Sequence, residues 1–154
     1  EFELTFHPHY LKQYNGRWFV LGLNAEYEID TWNMALDRIN EINEINVKYQ
    51  DSDRDWDYYF SDFIGPSKDD ENKLVEVKLR FTGKARNYVT TKPLHLSQKV
   101  KTLDNETLEV RLKVIPNKEL QALILSYGES VKVEAPKELK AKIAKRLRDA
   151  LEGY

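Results

Sequence analysis

The sequence predicts an α+β protein in two parts. A small, strongly bent sheet or barrel comes first, and a ferredoxin-like βαββαβ unit with a trailing C-terminal helix follows it. Three observations predict this. An Asn15-Gly16 pair separates two apolar runs in an aromatic-rich first half. In the second half the apolar pattern switches between strand-like and helix-like spacing in the order β, α, β, β, α, β, α. The charge is also uneven: Glu1 to Asp69 holds 6 Lys/Arg and 14 Asp/Glu (−8), whereas Asp70 to Tyr154 holds 18 and 12 (+6). The break falls in the turn-rich Gly65-Pro66-Ser67-Lys68-Asp69-Asp70, giving expected domains 1–68 and 69–154.

Phe2, Leu4 and Phe6 alternate with polar residues, as in a half-buried strand. Tyr10 to Tyr14 and Arg17 to Leu23 flank Asn15-Gly16, whose tolerance of positive φ favours a type I′ hairpin turn. Thr31 to Ile39 is a third strand, and Ile42 to Tyr49 continues it after a bend. Trp56, Tyr59, Phe60 and Phe63 have helical spacing, so Ser52 to Phe63 is expected as a short amphipathic helix. Asp51, Ser52 or Asp53 is its expected cap.

From Lys73 to Phe81 apolar and charged residues alternate, which makes a strand with one apolar face. Gly83 to Thr91 is a helix that must end before Pro93. Leu94 to Val100 and Leu108 to Ile115 are strands, and Asn117 caps a helix that runs to Ser126 and closes at Tyr127-Gly128. Val131 to Glu134 is a short strand. Pro136 opens the final helix, with Leu139, Ile143, Leu147 and Leu151 four apart.

Composition excludes several functions. There is no cysteine, so disulfide scaffolds, thiolate zinc sites, iron–sulfur clusters and thiol catalysis are ruled out. No apolar run approaches the ~20 residues of a membrane span, and no basic stretch followed by an apolar one opens the sequence, so secretion is not expected. A cytoplasmic location is the expectation. The only methionine is Met34, which leads to the expectation of a C-terminal part of a longer protein.

The acidic run Asp51, Asp53, Asp55, Asp57 fails as an EF-hand loop, because the sixth and twelfth positions are Trp56 and Asp62 rather than glycine and glutamate. His7-Pro8-His9 offers two imidazoles without a third ligand at a recognisable spacing, so no metal site is assigned. His95 and Ser97 share a face but lack an elbow or oxyanion loop, and no Walker A, dinucleotide or HExxH pattern occurs. Neither an enzyme nor a cofactor is expected. The basic residues of the last helix are either a phosphate-binding face or simply solvated.

His7-Pro8-His9-Tyr10-Leu11, Tyr14-Asn15-Gly16-Arg17-Trp18-Phe19-Val20-Leu21-Gly22 and Ala35-Leu36-Asp37-Arg38-Ile39 together resemble the WYL domain of bacterial transcriptional regulators. Lys92-Pro93-Leu94-His95-Leu96-Ser97-Gln98 and Ile124 to Val131 resemble the C-terminal extension that commonly follows it. The resemblance implies a five-stranded SH3- or Sm-like barrel, a ferredoxin-like extension, and a winged helix-turn-helix upstream that binds duplex DNA. It also implies a homodimer that senses single-stranded DNA or RNA, or a nucleotide-like effector. The ligand contacts it carries over fall on Arg17, Phe19 and Arg38, with His7 and Lys12 on the neighbouring strand. Phe19 replaces the motif tyrosine and keeps a stacking face without the hydroxyl.

Guanidinium groups at Arg17 and Arg38 suit bidentate phosphate contacts, and bases can stack on Phe19 or Trp18. Trp18 as core, and Arg38 paired with Asp37 or another acid, are the structural alternatives. A pure oligomerisation module is the rival function, and a nucleotide hydrolase is a third.

Overall fold

The computed structural model describes residues 2–154. It is α+β, with two antiparallel sheets of three and four strands and four α-helices among the described residues. The chain divides into two compact units, Glu1–Phe60 and Ser61–Tyr154.

In the first unit β1 (Phe6–Tyr14), β2 (Arg17–Asn24) and β3 (Ile29–Ala35) pair in that order. Asn15 and Gly16 both have positive φ, 49° and 76°, as the turn between β1 and β2 requires. The β2–β3 turn is closed by the fully buried Asn24, whose Oδ1 accepts from the N–H groups of Glu26 (3.0 Å) and Tyr27 (3.3 Å). The third strand ends four residues earlier than expected, because Leu36–Arg38 turns into a 3₁₀ helix.

Residues 42–49 form no strand. Ile42, Ile45, Val47 and Tyr49 lie exposed. The segment is tethered by Tyr49 Oη, which donates to the Pro8 carbonyl (2.8 Å), and by the backbone of Gln50, which bonds both His7 and His9. The expected helix over 52–63 shrinks to α1 (Trp56–Tyr59) with a 3₁₀ turn at Phe60–Asp62. Its cap is Asp55, whose side chain accepts from Tyr58 N–H at 3.0 Å, rather than Asp51, Ser52 or Asp53.

The second unit follows the expected element order. β4 (Val75–Thr82) leads to α2 (Gly83–Thr91), β5 (Lys99–Thr102), β6 (Thr107–Val114), α3 (Lys118–Leu125), β7 (Val131–Ala135) and α4 (Lys137–Leu151). The sheet order is β5-β6-β4-β7, antiparallel throughout. The inward rows are Val77, Leu79 and Phe81 of β4 and Leu108, Val110, Leu112 and Val114 of β6. The helices bury Val89, Leu120, Ile124, Leu139 and Ile143. Residues 94–98 form a turn rather than a strand. Gln98 closes it by accepting from Leu94 N–H (2.9 Å) and donating to the Val89 carbonyl (2.8 Å).

The units part at Phe60/Ser61, ahead of the turn-rich segment expected to divide them. Hydrogen bonds explain the offset. Ile115 N–H donates to the Asp62 carbonyl (2.6 Å), and the buried Asn117 amide donates to the carbonyls of Ile64 (2.7 Å) and Ser67 (2.9 Å). Residues 61–67 are thereby bound into the second unit.

Candidate functional site

The first sheet has a bulge between Pro8 and Tyr10. One extra residue, His9, reverses the alternation of β1, so that His7 joins Tyr10, Lys12 and Tyr14 on one face. Opposite them on β2 stand Leu23, Leu21, Phe19 and Arg17. Four of the five residues expected at a ligand site therefore share one sheet face: His7, Lys12, Arg17 and Phe19. Lys12 and Phe19 are directly paired, and Ala35 of β3 lies beyond Phe19.

That face carries an aromatic cover. Tyr10 stacks on Trp56 with centroids 5.3 Å apart, and Phe60 lies 5.5 Å from Tyr10. Lys12 Nζ sits 4.3 Å from the centroid of the Phe60 ring, a cation–π contact. Arg54 lies over Trp56 and Tyr59 and is ion-paired with Asp30. Sequence spacing gave the aromatic row from Trp56 to Phe60, but not its contact with Lys12.

The candidates differ in availability. Arg17 Nε is 3.0 Å from Asp37 Oδ2, and both side chains are about half exposed. Arg38 is exposed and makes no ion pair among the described residues, so Asp37 holds Arg17 and not Arg38. His7 is buried; its Nδ1 accepts from Gln50 N–H (3.1 Å), and its Nε2 has no hydrogen-bond partner among the described residues. His9 Nε2 bonds the Gln50 carbonyl at 2.8 Å. The two histidines thus clasp residue 50, and no group of three or more metal-binding side chains occurs among the described residues. Trp18 lies on the opposite sheet face and is half exposed, so it is not core.

In the second unit Ser97 N–H donates to His95 Nδ1 (3.2 Å), which also lies 2.8 Å from Ser97 Oγ. Ser97 Oγ in turn accepts from Lys113 N–H (2.9 Å) and donates to the Lys113 carbonyl (3.2 Å), so the pair ties the 94–98 turn to β6. Burial holds the imidazole below its ordinary value, and Asp62 partly offsets this. Its hydrogen bonds are those of a structural latch.

These features define an α+β domain with a helix-backed antiparallel sheet, preceded by a small three-stranded unit. Residues 73–151, more than half of the chain, match the WCX domain family, and the chain belongs to that family. Among solved structures it is similar to Proteasome accessory factor B/C (PafBC) of Arthrobacter aurescens. The identity is 17% and the TM-score 0.43, over 96% of this chain and 22% of that one. The chain therefore spans less than a quarter of that protein's length. No curated protein matches in sequence.

Proposed function

We propose that this chain is the ligand-sensing and dimerising region of a bacterial DNA-binding transcriptional regulator. Membership of the WCX domain family carries this reading. In it, the first unit is an SH3- or Sm-like WYL barrel and the second a ferredoxin-like extension, with the functional division near residue 68. Duplex DNA is bound by a domain upstream, the protein is a cytoplasmic homodimer, and no membrane is involved.

The effector is single-stranded nucleic acid or a nucleotide-like molecule, held by Arg17 and Arg38 with Phe19 as a stacking surface and His7 and Lys12 beside it. Their common sheet face supports this for all but Arg38. Binding would bias an equilibrium between arrangements of the DNA-binding domains, through a difference in affinity between the two states.

The Arg17–Asp37 pair favours the rival reading, a bare oligomerisation module, because it neutralises one of the two guanidinium groups. Fluorescence anisotropy with a labelled single-stranded DNA, for wild type and Arg38→Ala, separates the two. Saturable binding that weakens with salt and is lost in the variant supports the sensor. A folded, dimeric chain that binds nothing supports the module.

A further inference from the structure

The outer face of the four-stranded sheet carries a row of like charges. Lys99 of β5 stands directly opposite Arg111 of β6, and Arg111 directly opposite Lys78 of β4. Like charges at directly opposed positions destabilise a sheet, and here three stand side by side. In the next row Arg80 stands opposite both Glu109 and Lys132.

The acids on this face are already engaged. Glu76 pairs with Lys78 (3.4 Å), Glu109 with Arg111 (2.6 Å) and Glu134 with Arg80. The Arg111 hydrogen bond holds the Glu109 carboxyl below its ordinary value, with Lys78 and Lys101 adding to the pull. Among the described residues four exposed lysines make no ion pair, Lys99, Lys101, Lys113 and Lys132, although Lys101 and Lys113 stand opposite Glu109 and Glu76, which Arg111 and Lys78 hold. They reach from one edge strand to the other, a span of about 14 Å at the usual strand spacing.

We propose that this open face binds the phosphodiester backbone of nucleic acid through charge alone. The proposal is independent of the sensor assigned to the first unit. An extended polyanion offsets the repulsion that the bare sheet carries, and lysines act as point charges toward phosphates. No aromatic residue lies on this face among the described residues, so bases have nothing to stack on and sequence is not read. An acidic protein partner fits less well, because protein interface cores are depleted of lysine and need apolar anchors, and the outward positions of β4 and β6 are charged residues and threonines.

The test uses anisotropy with a labelled single-stranded DNA of mixed sequence and a labelled polyglutamate peptide of similar charge. Wild type, the quadruple Lys99→Gln/Lys101→Gln/Lys113→Gln/Lys132→Gln variant, and Arg17→Ala/Arg38→Ala are compared on the same chain. Four lysines on a single strand predict a log–log salt slope of about −3, so affinity falls about 50-fold between 50 and 200 mM salt. The expected result is that the quadruple variant loses this salt-dependent component, while Arg17→Ala/Arg38→Ala keeps it. An unchanged circular dichroism spectrum shows that the quadruple variant still folds. Undiminished binding by that folded variant would overturn the proposal, as would polyglutamate binding as tightly as DNA. Loss of all binding in Arg17→Ala/Arg38→Ala alone would sink this face as a site and leave the sensor reading standing.

Discussion

Arg17 at the start of β2 and Asp37 in the 3₁₀ turn that follows β3 are joined, Nε to Oδ2 at 3.0 Å. Phe19 pairs with Ala35, the last residue of β3, so the ladder stops there and the 3₁₀ turn just beyond it carries Asp37 to Arg17. The acid competes with any anionic ligand for the same guanidinium. Asp37→Asn is therefore expected to tighten binding of a short single-stranded DNA several-fold at low salt. Since exposed ion pairs contribute little, the melting temperature should barely move. Anisotropy and thermal unfolding of the same preparation check both halves. Weaker binding in the variant would mean that the carboxylate positions Arg17 rather than masking it.

Asn117 connects three carbonyl or amide groups of the second unit from a buried position. Its Oδ1 accepts from Leu120 N–H (2.9 Å), while its amide donates to the carbonyls of Ile64 and Ser67. Asn117→Ala removes a helix cap and strips partners from those carbonyls, a loss of about 2–4 kcal/mol. Asn117→Asp keeps the cap but turns a carboxylate oxygen onto the Ile64 and Ser67 carbonyl oxygens at a buried site, so it should cost at least as much as Asn117→Ala. All three tryptophans, Trp18, Trp32 and Trp56, lie in the first unit, whereas α2, α3 and α4 lie in the second. Urea unfolding followed by helical circular dichroism should shift, and the tryptophan fluorescence transition should not.

How much of this was legible in the sequence depended on the range of the interaction. The Asn15-Gly16 turn, the Asn117 cap and the limits of α2 rest on chemistry within a few residues, and they stand where expected. The 42–49 segment misled because its apolar residues suit a strand, and pairing needs a neighbour that local pattern does not supply. The His9 bulge was also hidden. Without it, His7 would fall on the face opposite Lys12, so the resemblance grouped residues that simple alternation would have separated. The row Lys99–Arg111–Lys78 likewise exists only once the register of three strands is known.

His95 links the second unit's stability to pH. Its folded value lies below the ordinary one, chiefly through burial, so the unfolded chain takes up a proton first as pH falls. The contribution of the neutral ring is complete above the ordinary histidine value and is lost as pH drops below it. Protonation also removes the Nδ1 lone pair that accepts from Ser97 N–H. Urea midpoints by circular dichroism should fall between pH ~7 and pH ~5, and His95→Gln should flatten that part of the profile. A profile of the same slope in the variant would assign the effect to other groups.

Gly22 sits where no side chain fits. It pairs with Pro8 beside the bulge, and a Cβ there would lie 2.1 Å from the His7 carbonyl oxygen and 2.8 Å from Phe6 Cζ. The first obstacle is backbone, so it cannot swing aside as a flexible side chain would. Gly22→Ala must push β1 away from β2 at the point where His7 is turned onto the face with Lys12 and Phe19. The expected cost is about 3 kcal/mol, confined to the tryptophan fluorescence transition, with the helical circular dichroism transition unchanged. Displacing β1 also moves His7 against the Gln50 N–H that it accepts, so the 49–50 segment should become readily cleaved by proteases. A variant with an unaltered fluorescence transition would show that the strands part there at little cost, and that the bulge does not fix the face on which the candidate residues meet.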